Sequence, residues 1–164
     1  MRAGTPNLPG AVGFGAAAGE VAGAFSSENA RISALAEKLL DSLFAAIAGL
    51  ALNGPRAGRI PNTLNLTFPG VLGESLLMAL DLEGVEVSMG SACAAGAVEP
   101  SHVLTAMGRG AGAARSSLRL SLGWSTTAAE IDYAAATIAR VWRRVASAEP
   151  VSDAAGGGVS EAAP

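Results

Sequence analysis

The sequence is poor in the residues that hold metals and form crosslinks. It contains one cysteine, Cys93, and one histidine, His102. A single cysteine cannot form a disulfide within the chain, so Cys93 is either a small buried hydrophobic residue or a reactive thiol in a reducing compartment. The cytoplasm suits both alternatives, and we expect a cytoplasmic protein. One cysteine and one histidine also fall short of the three or four ligands that zinc takes, so no metal site is predicted within this chain.

Charged residues are also scarce. They make up 15% of the chain, against about a quarter in average proteins. With a net charge of -3, the chain offers no basic surface for phosphates or anionic lipids, so neither nucleic acid nor a membrane is an expected partner. The longest apolar run, Leu43 to Leu52, is about half of the ~20 residues that a membrane span needs. Because charges are few, much of the surface must be small or apolar. This indicates that part of it is covered by a partner that is missing from this chain.

The apolar pattern changes between a helical and a strand period along the chain. A small-residue helix is predicted from about Ala11 to Phe25, and an amphipathic helix from about Glu28 to Ala48. Strict alternation predicts strands at Leu64–Phe68 and Leu118–Leu122, and a shorter one at Val85–Val87. Three further helices are predicted from Glu74 to Asp81, from Pro100 to about Gly108, and after a capping box formed by Thr127 and Glu130. The order indicates a two-layer α/β domain whose short sheet is mixed or antiparallel.

Cys93 lies in Ser88–Gly96, a run of small residues that offers no side chain large enough to anchor its backbone to a core. This segment is expected to be a mobile surface loop. A thiol in such a loop is accessible and, as the thiolate, nucleophilic. Because free cysteine is usually buried, the residues alone leave an inert cysteine and a reactive cysteine equally open.

Four blocks of sequence carry a resemblance to a known family. The block S-M-G-S-A-C-A-A-G-A-V-E-P-S-H-V-L, which begins at Ser88, resembles the active-site loop and following helix of NifS/IscS-type cysteine desulfurases. Three more blocks match in the right order: R-A-G-T-P-N from Arg2, P-N-T-L-N-L-T-F from Pro61, and S-L-R-L-S-L-G from Ser117. Four ordered blocks are far more specific than one. The chain is similar to the C-terminal half of such an enzyme, a pyridoxal-phosphate-dependent protein of fold type I in the class-V aminotransferase family.

The resemblance implies roles for three residues. Cys93 would accept sulfur from L-cysteine as a persulfide and pass it to an acceptor or scaffold protein, as in iron–sulfur cluster assembly or thiolation. Arg119 matches the arginine that binds the substrate carboxylate. Thr5 matches the threonine that reaches the cofactor phosphate of the neighbouring subunit in the family's homodimer. Without the surrounding motifs, Arg119 would be an ordinary exposed strand residue and Thr5 part of a turn.

The lysine that binds pyridoxal phosphate in the family has no matching position. The only lysine, Lys38, lies in the amphipathic helix away from its apolar stripe, and is expected to be a solvated surface charge. His102 is expected at the edge of the helix after the cysteine segment, not paired with Cys93. This chain alone is therefore expected to bind no pyridoxal phosphate and to be inactive. Its expected protein partners are a second copy or a complementary half that carries the cofactor.

The resemblance also predicts domain boundaries. Residues 1–27 would be a remnant of the large cofactor domain, residues 28–147 the small C-terminal domain with the cysteine, and residues 148–164 a disordered tail. Met1 stands where the family continues from an upstream domain, so a truncated or split reading frame is expected. Two alternatives to a desulfurase part stay open: a non-catalytic persulfide relay or docking protein, and a decayed fragment of the same family.

Overall fold

A computed structural model describes residues 4–89 and 100–148. Within these ranges the chain forms helices and strands in the order α1 (Leu8–Ala46), β1 (Ala51–Leu52), β2 (Thr63–Thr67), α2 (Gly73–Asp81), α3 (His102–Ala106), α4 (Ala111–Arg115), β3 (Ser117–Ser121) and α5 (Ala128–Ala148). Cys93, with most of its predicted loop, and nearly all of the predicted tail lie outside the described residues.

The three strands form one antiparallel sheet in the order β1-β2-β3. Leu64 of β2 is opposite Leu120 of β3, and Leu66 is opposite Leu118. Their exposed fractions are at most 4%, and they join one hydrophobic core with the inner faces of α1, α2 and α5. The intervening residues of each strand project to the other face of the sheet. We call it the open face because none of α1, α2 and α5 covers it; α4 lies against it at Ser117, and Arg119 is exposed on it. The predicted two-layer α/β fold is confirmed, and of the two sheet types that the sequence left open, mixed and antiparallel, the sheet is antiparallel.

Helix α1 is continuous where the sequence predicted two helices. The residues between the two predicted segments, 26 and 27, are both serines, with neither glycine nor proline, so nothing interrupts the backbone hydrogen bonds there. The helix also begins earlier than predicted, at Leu8, because the side-chain oxygen of Asn7 accepts a hydrogen bond of 3.1 Å from the Gly10 amide. The prediction that this helix begins at about Ala11 is therefore three residues too late.

The two halves of α1 differ in burial. Residues 8–27 are exposed along their whole length. The second half supplies the buried residues Ile32, Leu35, Ala36, Leu39, Leu40 and Leu43.

Although α1 is 39 residues long, no helix in residues 4–89 and 100–148 has both the length and the apolarity to cross a membrane.

Helix α5 begins with the predicted capping box. The Thr127 amide donates to Glu130 Oε2 at 2.7 Å, and the Glu130 amide donates to Thr127 Oγ1 at 3.2 Å. The hydrogen bonds from the Thr127 amide and then from its hydroxyl hold the pKa of the Glu130 carboxyl below its ordinary value. The start of this helix was predictable because the hydrogen bonds that form it join residues only three positions apart.

The strand predicted at Val85–Val87 does not form. Gly84 turns the chain with a φ of +73°, and the Val85 amide donates to the Leu80 carbonyl at 3.0 Å. Because that amide closes the end of α2, it does not pair with the sheet. Pairing starts only at Ser88, through an isolated bridge to Arg119.

Candidate functional site

Arg119 lies in the middle of β3. Its neighbours Leu118 and Leu120 are buried in the core, whereas Arg119 is exposed on the opposite face, as the alternation predicted. Among residues 4–89 and 100–148, no group accepts a hydrogen bond or forms an ion pair with its guanidinium. As far as the described residues show, the strand therefore carries an unpaired cation on the open face of the sheet.

Ser88 is joined to Arg119 by two backbone hydrogen bonds. The Ser88 amide donates to the Arg119 carbonyl at 3.0 Å, and the Arg119 amide donates to the Ser88 carbonyl at 2.7 Å. Cys93 is five residues further along the chain, and five residues span at most about 18 Å. The bridge therefore fixes one end of the cysteine-bearing segment beside the strand that carries Arg119.

Met89 also anchors this end of the segment. It is partly buried and packs against the hydrophobic core. A Cβ placed on Gly73, the first residue of α2, would come within 2.8 Å of the Met89 sulfur and 2.7 Å of the Arg115 carbonyl oxygen. Glycine is therefore required at position 73. The prediction that the run from Ser88 offers no anchoring side chain is wrong at Met89, whose unbranched side chain fills this gap.

The open face of the sheet carries a network of neutral polar side chains. The two N–H groups of Asn53 Nδ2 are shared among Asn65 Oδ1 at 2.7 Å, Thr67 Oγ1 at 2.9 Å and Ser117 Oγ at 3.0 Å. Ser117 in turn donates to the carbonyl of Ala113 in α4 at 2.7 Å. Asn53 is 9% exposed and Ser117 2%. Because buried polar groups that are fully paired are rigid, this network holds the three strands and α4 in fixed relative positions.

The turn after β3 is held by Arg31 of α1. The Arg31 guanidinium donates to the carbonyl of Trp124 at 2.6 Å and to that of Thr126 at 2.7 Å. It also pairs with Glu28 at 2.9 Å, and its hydrogen bonds hold the pKa of the Glu28 carboxyl below its ordinary value. The C-terminal end of β3 is thus tied to α1, which the sequence did not predict.

Comparison with known proteins assigns this chain to a family. Residues 1–134 match the family model described as Aminotransferase class-V. The chain belongs to the class-V aminotransferase family. The resemblance stated from the four sequence blocks is confirmed at this level, and so is the fold that it implied.

Relatives within the family are named as cysteine desulfurases. The cysteine desulfurase IscS of Dictyoglomus turgidum is 39% identical over 149 residues, which cover 91% of this chain and 38% of that protein. The IscS-like cysteine desulfurase of Mycobacterium tuberculosis is 43% identical over 135 residues, 82% of this chain and 34% of that protein. The solved structure of a NifS-like protein from Rickettsia africae has a TM-score of 0.73 at 30% identity, over 87% of this chain and 36% of that chain. This class-V aminotransferase chain therefore spans little more than a third of the length of the relatives that it matches.

The structure describes two of the three residues to which the family resemblance gives roles. Arg119 is described and lies on the sheet. Thr5 is exposed ahead of α1, and its side chain makes no hydrogen bond within the described part of the chain. Cys93 lies outside that part. The structure brings Arg119 together with Ser88, and the roles of all three residues in a class-V aminotransferase stay predictions.

Lys38 lies on the surface between α1 and α5. Its Nζ pairs with Asp132 at 2.6 Å, and its side chain is 43% exposed, in accord with the predicted helix-face charge. His102, the first residue of α3, is exposed. Because Lys38 is the only lysine and is held by a carboxylate, the residues present do not fit the cofactor of a class-V aminotransferase, pyridoxal phosphate, on their own. The described residues also contain no cluster of three or more side chains suited to a metal ion.

Proposed function

We propose that this chain is the sulfur-accepting part of a cysteine desulfurase. In this proposal Cys93 takes sulfur from L-cysteine as a persulfide and passes it to an acceptor protein. The names of the relatives, cysteine desulfurase IscS and IscS-like cysteine desulfurase, support the activity. Since the chain matches 38% or less of those two proteins, the activity of the whole enzyme is part of the proposal.

The observation that carries the proposal is the bridge between Ser88 and Arg119. Its two backbone hydrogen bonds, 2.7 and 3.0 Å long, fix one end of the segment that bears Cys93 to the strand that bears the arginine. The thiol is five residues from this bridge, which keeps it within about 18 Å of it. An arginine that binds the substrate and a cysteine that receives its sulfur need such a common attachment.

The chemistry of Arg119 suits an amino-acid substrate. A guanidinium offers two parallel N–H donors in one plane, which match the two oxygens of a carboxylate. Arg119 would bind the carboxylate of L-cysteine through this pair, because no group in residues 4–89 and 100–148 occupies its donors. Pyridoxal phosphate, the cofactor of intact enzymes of the family, would have to be held by a lysine outside this sequence. Thr5 would lie toward its phosphate.

A second candidate is a non-catalytic persulfide relay. The ion pair between Lys38 and Asp132, 2.6 Å long, favours it, because it leaves the chain without a free lysine. A relay would receive sulfur on Cys93 from a complete desulfurase and would need neither L-cysteine nor the cofactor itself.

One experiment with two arms tests both candidates. In the first arm the purified chain is incubated with L-cysteine and a complete IscS-type desulfurase, and the intact mass is measured before and after reduction with dithiothreitol. In the second arm the complete desulfurase is replaced by the isolated lysine-bearing part of such an enzyme, loaded with pyridoxal phosphate, and alanine is measured too. We expect one reducible sulfur atom on the unmodified chain and none on the Cys93→Ser control.

The two arms separate the candidates. Sulfur on Cys93 together with alanine in the second arm supports the desulfurase part. Sulfur in the first arm alone supports the relay. An unchanged mass in both arms contradicts the proposal that Cys93 carries sulfur.

A further inference from the structure

Asn65 is the residue directly opposite Arg119 across β2 and β3. The Asn65 carbonyl accepts from the Asn53 amide at 2.8 Å, and the backbone groups of Arg119 bond to Ser88 instead. Asn65 and Arg119 therefore form a non-hydrogen-bonded pair of the antiparallel ladder. In such a pair the side chains project to the same face and are closest, with Cβ atoms about 4.5 to 5.5 Å apart.

The orientation of the Asn65 amide follows from its hydrogen bonds. The Ala113 carbonyl can only accept, so Ser117 Oγ donates its one proton there, at 2.7 Å. Ser117 Oγ must then accept at 3.0 Å from Asn53, which identifies the contacting atom of Asn53 as its NH₂ nitrogen. That same nitrogen lies 2.7 Å from the nearer atom of the Asn65 amide, which must be its oxygen. The NH₂ group of Asn65 is therefore its other, outer group.

Two donor groups thus lie side by side on the open face, and no described residue accepts a hydrogen bond from either. In the described ranges, neither Asn65 Nδ2 nor the Arg119 guanidinium donates a hydrogen bond to the protein. Two donors cannot satisfy each other, but both complement an anion with several acceptor oxygens. A carboxylate placed against Arg119 has a free lone pair for one further N–H group.

We propose that Asn65 is a second binding residue for the carboxylate of an amino-acid ligand, beside Arg119. Its oxygen is held by Asn53, so its NH₂ group is already oriented before the ligand binds. The inference rests on the proposed function for the identity of the ligand as an amino acid. The pairing of the two residues and the direction of the amide come from the sheet itself.

The test is an NMR titration of the ¹⁵N-labelled chain with L-alanine, which has the α-carboxylate of L-cysteine without its thiol. We expect the side-chain NH₂ signals of Asn65 and the Nε–H signal of Arg119 to shift together, with one common dissociation constant. The Asn65→Leu variant removes both donors at nearly the same side-chain size and adds no charge beside Arg119. The affinity should fall about ten- to a hundredfold.

Asn62→Leu is the matched control. Asn62 is exposed just before the same strand, three residues and about 10 Å from Asn65, so the variant makes the same exchange away from Arg119. Its affinity should stay within about twofold of that of the unmodified chain. Equal losses in the two variants would show that the donors of Asn65 are not the cause and would overturn the assignment of Asn65.

The outcomes distinguish this inference from the proposed function. A shift of Arg119 without a shift of Asn65 overturns the inference and leaves Arg119 as the carboxylate ligand. Shifts of both residues, together with no sulfur on Cys93 in the mass experiment, overturn the proposed function and support the inference. No shift of either residue at saturating L-alanine means that the open face binds no carboxylate, and the inference is then wrong.

Discussion

The two faces of the sheet contrast in what their side chains contribute. The inner face consists of leucines that are at most 4% exposed and belong to the common core. The outer face carries neutral amides and hydroxyls, bonded to one another, and the exposed guanidinium of Arg119, which has no partner among the residues that the structure describes. The same short strands thus supply apolar burial on one side and oriented donors on the other. Stability should therefore depend mostly on the inner face, and ligand binding on the outer one.

The largest expected effect is on the inner face. Leu66→Ala removes a side chain that is 0% exposed and leaves a cavity that the surrounding core fills only in part. We expect the free energy of unfolding to fall by about 2 to 5 kcal/mol. Urea denaturation followed by circular dichroism measures it, and it also shows whether the chain unfolds cooperatively.

The control for this change is on the outer face of the neighbouring strand. Ser121→Ala alters an exposed residue of β3 and should change the free energy of unfolding by no more than about 0.5 kcal/mol. Similar losses in both variants would contradict the division between the two faces.

The outer face is expected to contribute to stability at one point, Asn53. In Asn53→Ala, the buried hydroxyl of Ser117 and the side chains of Thr67 and Asn65 lose their shared donor. The free energy of unfolding should fall by about 1 to 3 kcal/mol, because unpaired buried polar groups are costly. Asn62→Ala is the matched control, since the exposed Asn62 side chain makes only a contact of 3.5 Å with Thr63. No difference between the two asparagine variants would mean that the network contributes nothing measurable.

Much of the inner face was predictable from the sequence, and the network on the outer face was not. The leucines of β2 and β3 alternate with polar residues, and this local period predicts both strands and their buried faces. The network joins Asn53 to residues 12 and 64 positions away, so its partners become neighbours only when the sheet forms. Helix α4 was also missed, because its five residues, Ala-Gly-Ala-Ala-Arg, have no apolar period.

The candidate site was predictable in one part only. The alternation of β3 placed Arg119 opposite the leucines, and the structure agrees. The bridge from Ser88 was not predicted, because the sequence favoured a strand at Val85–Val87, where the chain instead closes the end of α2. Met89 meets Gly73 where the backbone carbonyls of Arg115 and Ser117 also approach it, and no local pattern predicts such a contact between residues distant in the sequence.

Acid should reduce stability at the start of α5, where Glu130 titrates, but not at either face of the sheet. The network of Asn53 is neutral, whereas the Thr127 amide lowers the pKa of Glu130 below its unfolded value. A lowered carboxyl pKa adds stability that is fully present above the ordinary glutamate value of about 4.3 and is lost as the pH falls through the folded pKa. Glu130→Gln keeps an acceptor for the Thr127 amide but removes this titration. Its melting temperature should therefore fall less than that of the unmodified chain between about pH 6 and pH 3.

The comparison variant in the acid series is Asn53→Ala. It should lose as much melting temperature between the two pH values as the unmodified chain does, because none of the groups that it affects carries a charge. The same acid response in all three chains would show that Glu130 is not a source of acid sensitivity.

Replacing Arg119 should have the smallest effect on the free energy of unfolding and a large effect on ligand affinity. Arg119→Lys keeps the positive charge but replaces the planar pair of donors by a single ammonium group. Because the side chain is exposed and unpaired within the described residues, the urea midpoint should not change measurably. The affinity for L-alanine, measured from the Asn65 side-chain signals, should fall about tenfold.

Arg115→Lys, at the exposed last residue of α4, makes the same exchange off the sheet and should leave both quantities unchanged. If Arg119→Lys binds L-alanine as tightly as Arg115→Lys does, the outer face holds its ligand by charge alone, and the planar match between guanidinium and carboxylate is not what selects it.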